Sequence, residues 1–188
     1  MLGTLSELDA INIILSSVGS DPVNSLDEEA DVDLSNARFF LEKTSRDIQR
    51  KGWDFNTYTY TMYPDTFSKK ILWDARILKF KSTDGNTYVK RGNFLYDMTN
   101  QTFEFKNSVV LEAILGLDFK DLPDCFKNYI AVRAALDFQF KYFGDTNVST
   151  DLQYNMQEAY QDIVQYDMDM NKVNMLQMTN VAEVLERT

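Results

Sequence analysis

The hydrophobic period of this chain changes twice, and that change limits the fold more than any other feature. From Thr4 to Gly52 apolar residues recur at helical spacing, from Asn56 into the middle of the chain they alternate, and from Pro123 onward the helical spacing returns. A chain of 188 residues patterned this way is α+β. The expected architecture is an antiparallel bundle of about four helices with a smaller inserted antiparallel β-sheet module and an extended C-terminal tail. The expected divisions are residues 1–52 for the first half of the helical body, 53–120 for the β module, 121–174 for the second half, and 175–188 for the tail.

Thr4-x-x-Glu7 has the pattern of a capping box, and Leu8, Ile11, Leu15 and Val18 follow on one face. Gly19 suits the left-handed residue past a helix end, and Pro22 the stop beyond it. The acidic run Asp27–Asp33 leads into a second helix that buries Leu34, Ala37, Leu41, Thr44 and Ile48 and ends at Gly52. Strands are expected at Asn56–Tyr63, with Tyr58, Tyr60 and Met62 opposite Thr57, Thr59 and Thr61, and at Ile77–Lys81. A hairpin of Thr87–Lys90 and Phe94–Asp97 turns at Arg91-Gly92-Asn93, a short strand takes in Phe103 and Phe105, and a longer one spans Val109–Leu115. The third helix places Pro123 in its first turn, carries the stripes Ile130/Ala134/Phe138/Tyr142 and Val132/Leu136/Phe140/Phe143, and closes at Gly144. The fourth starts near Ser149, buries Leu152, Met156, Tyr160 and Ile163, and loses its pattern after Tyr166. Gly19, Pro22, Gly52, Trp53, Pro123 and Gly144 form the set of residues read as fixing backbone geometry or, for Trp53, lidding a core.

Composition narrows the chemistry. The chain has no histidine, which removes the commonest general base and transition-metal ligand. Its single cysteine, Cys125, offers no internal disulfide and lacks the usual base partner, so it reads as a structural thiol. Phosphate-loop, dinucleotide and zinc signatures are absent, and no cofactor is expected. No run approaches the length of a membrane span, and MLGTLSELDA does not read as a signal peptide. Net charge is −10, distributed as −6 over residues 1–50, +2 over 51–120 and −6 over 121–188. A chain so acidic is poorly suited to gripping phosphates. Paired carboxylates, Asp118/Asp121 or Asp162/Asp167, leave open an alternative reading as a polysaccharide hydrolase.

Several blocks together carry a resemblance. They are Ile14–Leu26 with its Val18-Gly19-Ser20-Asp21-Pro22-Val23 turn, Asn36-Ala37-Arg38, Gly52-Trp53-Asp54-Phe55-Asn56, Leu122–Ile130, and Phe140-Lys141-Tyr142-Phe143-Gly144. In that order and spacing, over roughly residues 5–170, they resemble the tail tubular protein A family, the head-to-tail adaptors of short-tailed bacteriophages. The resemblance implies a non-enzymatic α+β subunit of a dodecameric ring, placed between the portal protein and a nozzle of the tail tubular protein B type. It also implies a virion protein assembled in the host cytoplasm, with double-stranded DNA passing through the bore without sequence-specific binding and no membrane contact.

A ring subunit needs two unlike faces that complement each other. Met168, Met170, Met175, Leu176, Met178, Val184 and Leu185 are the candidates for contact with a neighbour or the portal, because methionine adapts to irregular surfaces. Asp151, Glu158, Asp162, Asp167 and Asp169 are the candidates for an acidic bore that repels phosphate; an ordinary outer face is the alternative. Lys79, Lys81, Lys90 and Arg91 are candidates for a basic rim, against the alternative of a solvated strand face.

Overall fold

The computed structural model describes residues 3–27, 32–142 and 146–177, with backbone alone at 146–149 and 171–177. It has four helices, α1 (Glu7–Ser16), α2 (Val32–Gln49), α3 (Asp124–Tyr142) and α4 (Thr146–Gln177), and five strands, β1 (Thr57–Met62), β2 (Ile77–Ser82), β3 (Tyr88–Arg91), β4 (Phe94–Asp97) and β5 (Val109–Leu115). The chain divides into a helical unit, residues 1–48 and 118–188, and a β unit, residues 49–117.

In the helical unit the cap of α1 lies two residues later than expected. Ser6 caps it, accepting from Asp9 N at 3.1 Å, while the Asp9 carboxylate accepts from Ser6 N at 3.1 Å. The Thr4/Glu7 pair has the same pattern but is not used. The Ser6 hydroxyl also donates to Asp9, and these bonds hold that carboxyl below its ordinary value. At the other end Gly19 (φ 75°) donates to Ser16 O and Ser20 N to Leu15 O, the bond pair of a Schellman ending.

α3 is the centre of this unit, with Phe126, Ile130, Ala131, Ala134, Ala135 and Phe138 at most 1% exposed. Phe126 meets Tyr166, Tyr129 meets Tyr160, and Arg133 meets Met156, so α4 runs antiparallel to α3. Leu5 N donates to Asp124, and the Ser17 hydroxyl reaches Ala135 O, so α1 lies beside α3 in the same direction. α2 brings Phe40 edge-on to Phe138 at 5.5 Å. Of the expected α3 stripes, Ile130, Ala134, Phe138 and Leu136 are buried, while Phe140 and Tyr142 end 50% and 43% exposed. Pro123 sits just before α3, its carbonyl accepting from Phe126 N and Lys127 N. α4 begins at Thr146, earlier than expected, and continues to Gln177, past the expected loss of pattern after Tyr166 and the expected boundary at 174. Phe143 and Gly144 lie outside the described residues.

In the β unit, β5 lies between β1 and β2, antiparallel to both. The register places Tyr58, Tyr60, Met62, Val109, Leu111, Ala113, Leu115, Ile77 and Phe80 on one face, and the three threonines of β1, Glu112, Lys79 and Lys81 on the other. The β3–β4 hairpin and its flanking segments cover the apolar face, contributing Ile71, Tyr88, Leu95 and Phe105 to the core. Gly92 opens the two-residue hairpin turn at φ 60°, the first-position glycine of a primed turn. The strand expected at Phe103 and Phe105 is not formed: only isolated bridges, Lys70 with Glu104 and Asp97 with Thr102, occur there. The alternating pattern has another cause, since Phe103 packs on Tyr96 and Phe105 on Tyr88.

Two polar side chains close the β unit. Asn56, fully buried, donates to the carbonyls of Gln49 (3.0 Å) and Leu115 (3.1 Å) and accepts from Trp53 N (2.9 Å). Gln49 bonds Leu117 twice, to its carbonyl at 3.0 Å and from its N–H at 2.7 Å. Gly52 stands between them at φ 85°, and a Cβ there would come 2.6 Å from Ile114 Cδ1. Trp53 is half-buried at this junction.

Candidate assembly surfaces

Three surfaces bear on what this chain contacts. The first is α4. Between Thr146 and Asn171 it carries five acids and no base. At about 100° per residue, Asp151, Glu158, Asp162 and Asp169 fall within roughly 40° of one another. All four are exposed. Asp169 also accepts from the Gln165 amide at 2.9 Å. Asp167 is out of line with them and half-buried. The stripe lies roughly 80–120° around the helix from Ala159 and Ile163, which are buried.

The methionine candidates divide. Met168 and Met170 are 50% and 39% exposed. Two residues apart on a helix, they leave it in different directions. Met175 and Leu176 lie on α4, and Met178, Val184 and Leu185 lie outside the described residues.

The second surface is the set of strand edges in the β unit. The four basic candidates fall on two strands, one in each sheet. Lys79 and Lys81 stand on β2, on the outer face of the three-stranded sheet, with Lys81 and Thr59 flanking Glu112 of β5. Lys90 and Arg91 stand on β3, where the Arg91 guanidinium lies 3.7 Å from the centre of the Tyr96 ring. β2 also carries a register shift between Ile77 and Lys79. β1 holds no charge, no proline and no shift.

The third is the β1–β2 connection. Asp65 accepts from Phe67 N, Ser68 N and the Ser68 hydroxyl, and Lys69 sits at φ 56°. This ordered turn holds Phe67 94% exposed, with Tyr63 at 74% and Leu72 at 67%. The sequence reading missed this surface, because an aromatic residue in a loop gives no periodic signal.

Charge separates by unit. The β unit has ten basic and seven acidic residues, a net of +3; the helical unit has nine and 22, a net of −13. Local pairs tune a few groups. Arg76 bonds Asp74 through its Nη2 at 2.7 Å, holding that carboxyl well below the usual range, and Tyr60 donates to the same group. Asp84 accepts from Ser82, Tyr88 and Asn86 N, and the Ser82 and Tyr88 hydroxyls hold its carboxyl at about 2. Burial and the bond to Asp84 push Tyr88 up to about 12. A depressed carboxylate stabilises the fold above its unfolded value, near 3.8, and that contribution is lost as pH falls through about 2. The β unit is therefore expected to lose thermal stability between about pH 4 and pH 2, and Asp84→Asn to flatten that loss. Melting followed by near-ultraviolet circular dichroism tests this, and an unchanged slope in the variant rejects it. Cys125 is half-buried, and burial raises its thiol rather than activating it.

Among the described residues no cluster of acids and Cys125 is placed to hold a metal, and no helix is long and apolar enough to cross a membrane. Asp118 and Asp121 are exposed around a short 3₁₀ turn, not enclosed as a catalytic acid and base would be. The tail tubular protein family profile matches residues 8–173. Tail tubular protein A of Klebsiella phage KP34 is 32% identical over 134 residues, 68% of each chain. The chain is a structural component of a phage tail and belongs to the tail tubular protein A family. That family is structural and non-enzymatic, which displaces the hydrolase alternative.

Proposed function

We propose that this tail component is the head-to-tail adaptor: copies close into a dodecameric ring between the portal protein and the tail nozzle, and double-stranded DNA passes through the bore. The observation that carries the reading is the α4 stripe of Asp151, Glu158, Asp162 and Asp169, unbroken by a base. A conduit for DNA must not hold phosphates, and a wall of carboxylates repels them. Met168 and Met170, with Met175, Leu176, Met178, Val184 and Leu185 further along, supply adaptable contacts for a neighbour or the portal. The opposite charges of the two units favour unlike faces meeting around a ring. Lys79, Lys81, Lys90 and Arg91 would serve the β unit's side of that contact. Assembly takes place in the host cytoplasm before the tail is complete.

Electron microscopy of the purified protein with portal tests the geometry. A twelve-fold ring with the α4 stripe on its inner wall is the expected image, and a ring with that stripe on its outer surface refutes the bore assignment. Reversing the four stripe acids to lysine is expected to slow DNA ejection at least tenfold at low salt and less at high salt, because screening weakens the new attraction. Ejection at the wild-type rate from particles carrying the variant ring would reject the mechanism.

A further inference from the structure

Among the described residues, one strand edge of the β unit is left unguarded. β4 is flanked by the segment before β2, through Leu95 N to Ile71 O and Trp73 N to Asn93 O. β2 carries Lys79, Lys81 and a register shift, and β3 carries Lys90 and Arg91, the devices that keep sheet edges from pairing. β1 reads Thr-Tyr-Thr-Tyr-Thr-Met, within an uncharged run from Phe55 to Pro64. Its backbone bonds to β5 on one side, and no described residue bonds its backbone on the other. Such an edge is a template for another strand.

We propose that in the free protein β1 pairs antiparallel with β1 of a second copy, about a two-fold axis. The partner strand must be uncharged, extended and alternating, and β1 meets that demand itself. With the axis at Tyr60, Tyr60 faces Tyr60, Thr59 faces Thr61 and Tyr58 faces Met62, so every opposed pair lies on one face of the joined sheet. An axis at Thr59 preserves the faces equally well. The six-stranded sheet that results ends in β2 at both sides, and its lysines and register shift stop further growth. One open and one guarded edge therefore specify a closed pair and not a fibre. Pairing also protects the open edge until assembly, and separation of the two copies would be a step of entering the tail.

The test uses the full chain without portal, so its outcome is separate from that of the ring experiment. Sedimentation from 5 to 200 μM, chosen as roughly the range where a small interface associates, is expected to show twice the chain mass at the top of the range. Thr59→Lys with Thr61→Lys places like charges opposite one another in either register, while Glu112 beside Thr59 on β5 accommodates the first lysine within the fold. The double variant is expected to remain monomeric with an unchanged thermal melt. Amide exchange at Thr57–Met62 should slow with concentration in the wild type alone. A wild type that stays monomeric, an assembly of any size that survives the lysine pair, or one larger than two that the pair abolishes, each overturns the proposal.

Discussion

Asn56→Ala is expected to destabilise the β unit by about 2–4 kcal/mol. The side chain is wholly enclosed and bonds three backbone groups, from Gln49, Trp53 and Leu115. Truncation removes one bond from each of those groups, at about 1–3 kcal/mol where the bond is not replaced; the Gln49 carbonyl keeps its bond from Gly52 N at 3.1 Å. Asn56→Asp should be worse at neutral pH, since it turns a carboxylate oxygen toward two carbonyls, and should recover in part on acidification as the acid gains a proton to donate. Urea unfolding of the two variants checks both statements. A loss under about 1 kcal/mol for the alanine variant would show that these bonds do not close the unit.

Phe126→Ala should cost the helical unit about 3–5 kcal/mol. Phe126 is 0% exposed at the start of α3, and its ring meets that of Tyr166 on α4 at 6.0 Å. Removing it empties a site between two helices that the surrounding packing fills only in part. Phe140, on the same helix and 50% exposed, is the control. It lines an open groove of about 470 Å³ with Arg133, Leu136, Asp137, Gln153, Met156 and Gln157. Phe140→Ala should change stability by less than about 1 kcal/mol, because little surface is newly exposed. Equal losses in the two variants would mean that the buried side of α3 has been assigned incorrectly.

Periodicity carried most of the fold. It reports which face a residue occupies, and both helices and strands obey it, so β1, β5 and the buried face of α2 were legible from spacing alone. It carries less information at element ends. Thr4/Glu7 and Ser6/Asp9 are both capping patterns, and the choice between them rests on contacts such as Leu5 N to Asp124, which lies 119 residues away. It also misleads where alternation arises from packing against two separate rings, as at Phe103 and Phe105.

The acidic stripe of α4 was visible as a list of acids. Its alignment, and the exclusion of Asp167 from it, required the helix to continue without interruption past Tyr166. The four basic candidates were visible as a group in sequence, yet the topology assigns them in pairs to two different edges. Which edge carries no charge is a property of strand order, and strand order depends on contacts distant in sequence.

The pair of hydrogen bonds between Gln49 and Leu117 brings the two ends of the β unit side by side. A cassette whose ends already touch can be lengthened, trimmed or exchanged for an unrelated one without pulling its flanking segments apart. Such a unit is open to replacement by recombination as one piece. Grafting a foreign sheet between those two residues would reveal how far such swapping can go.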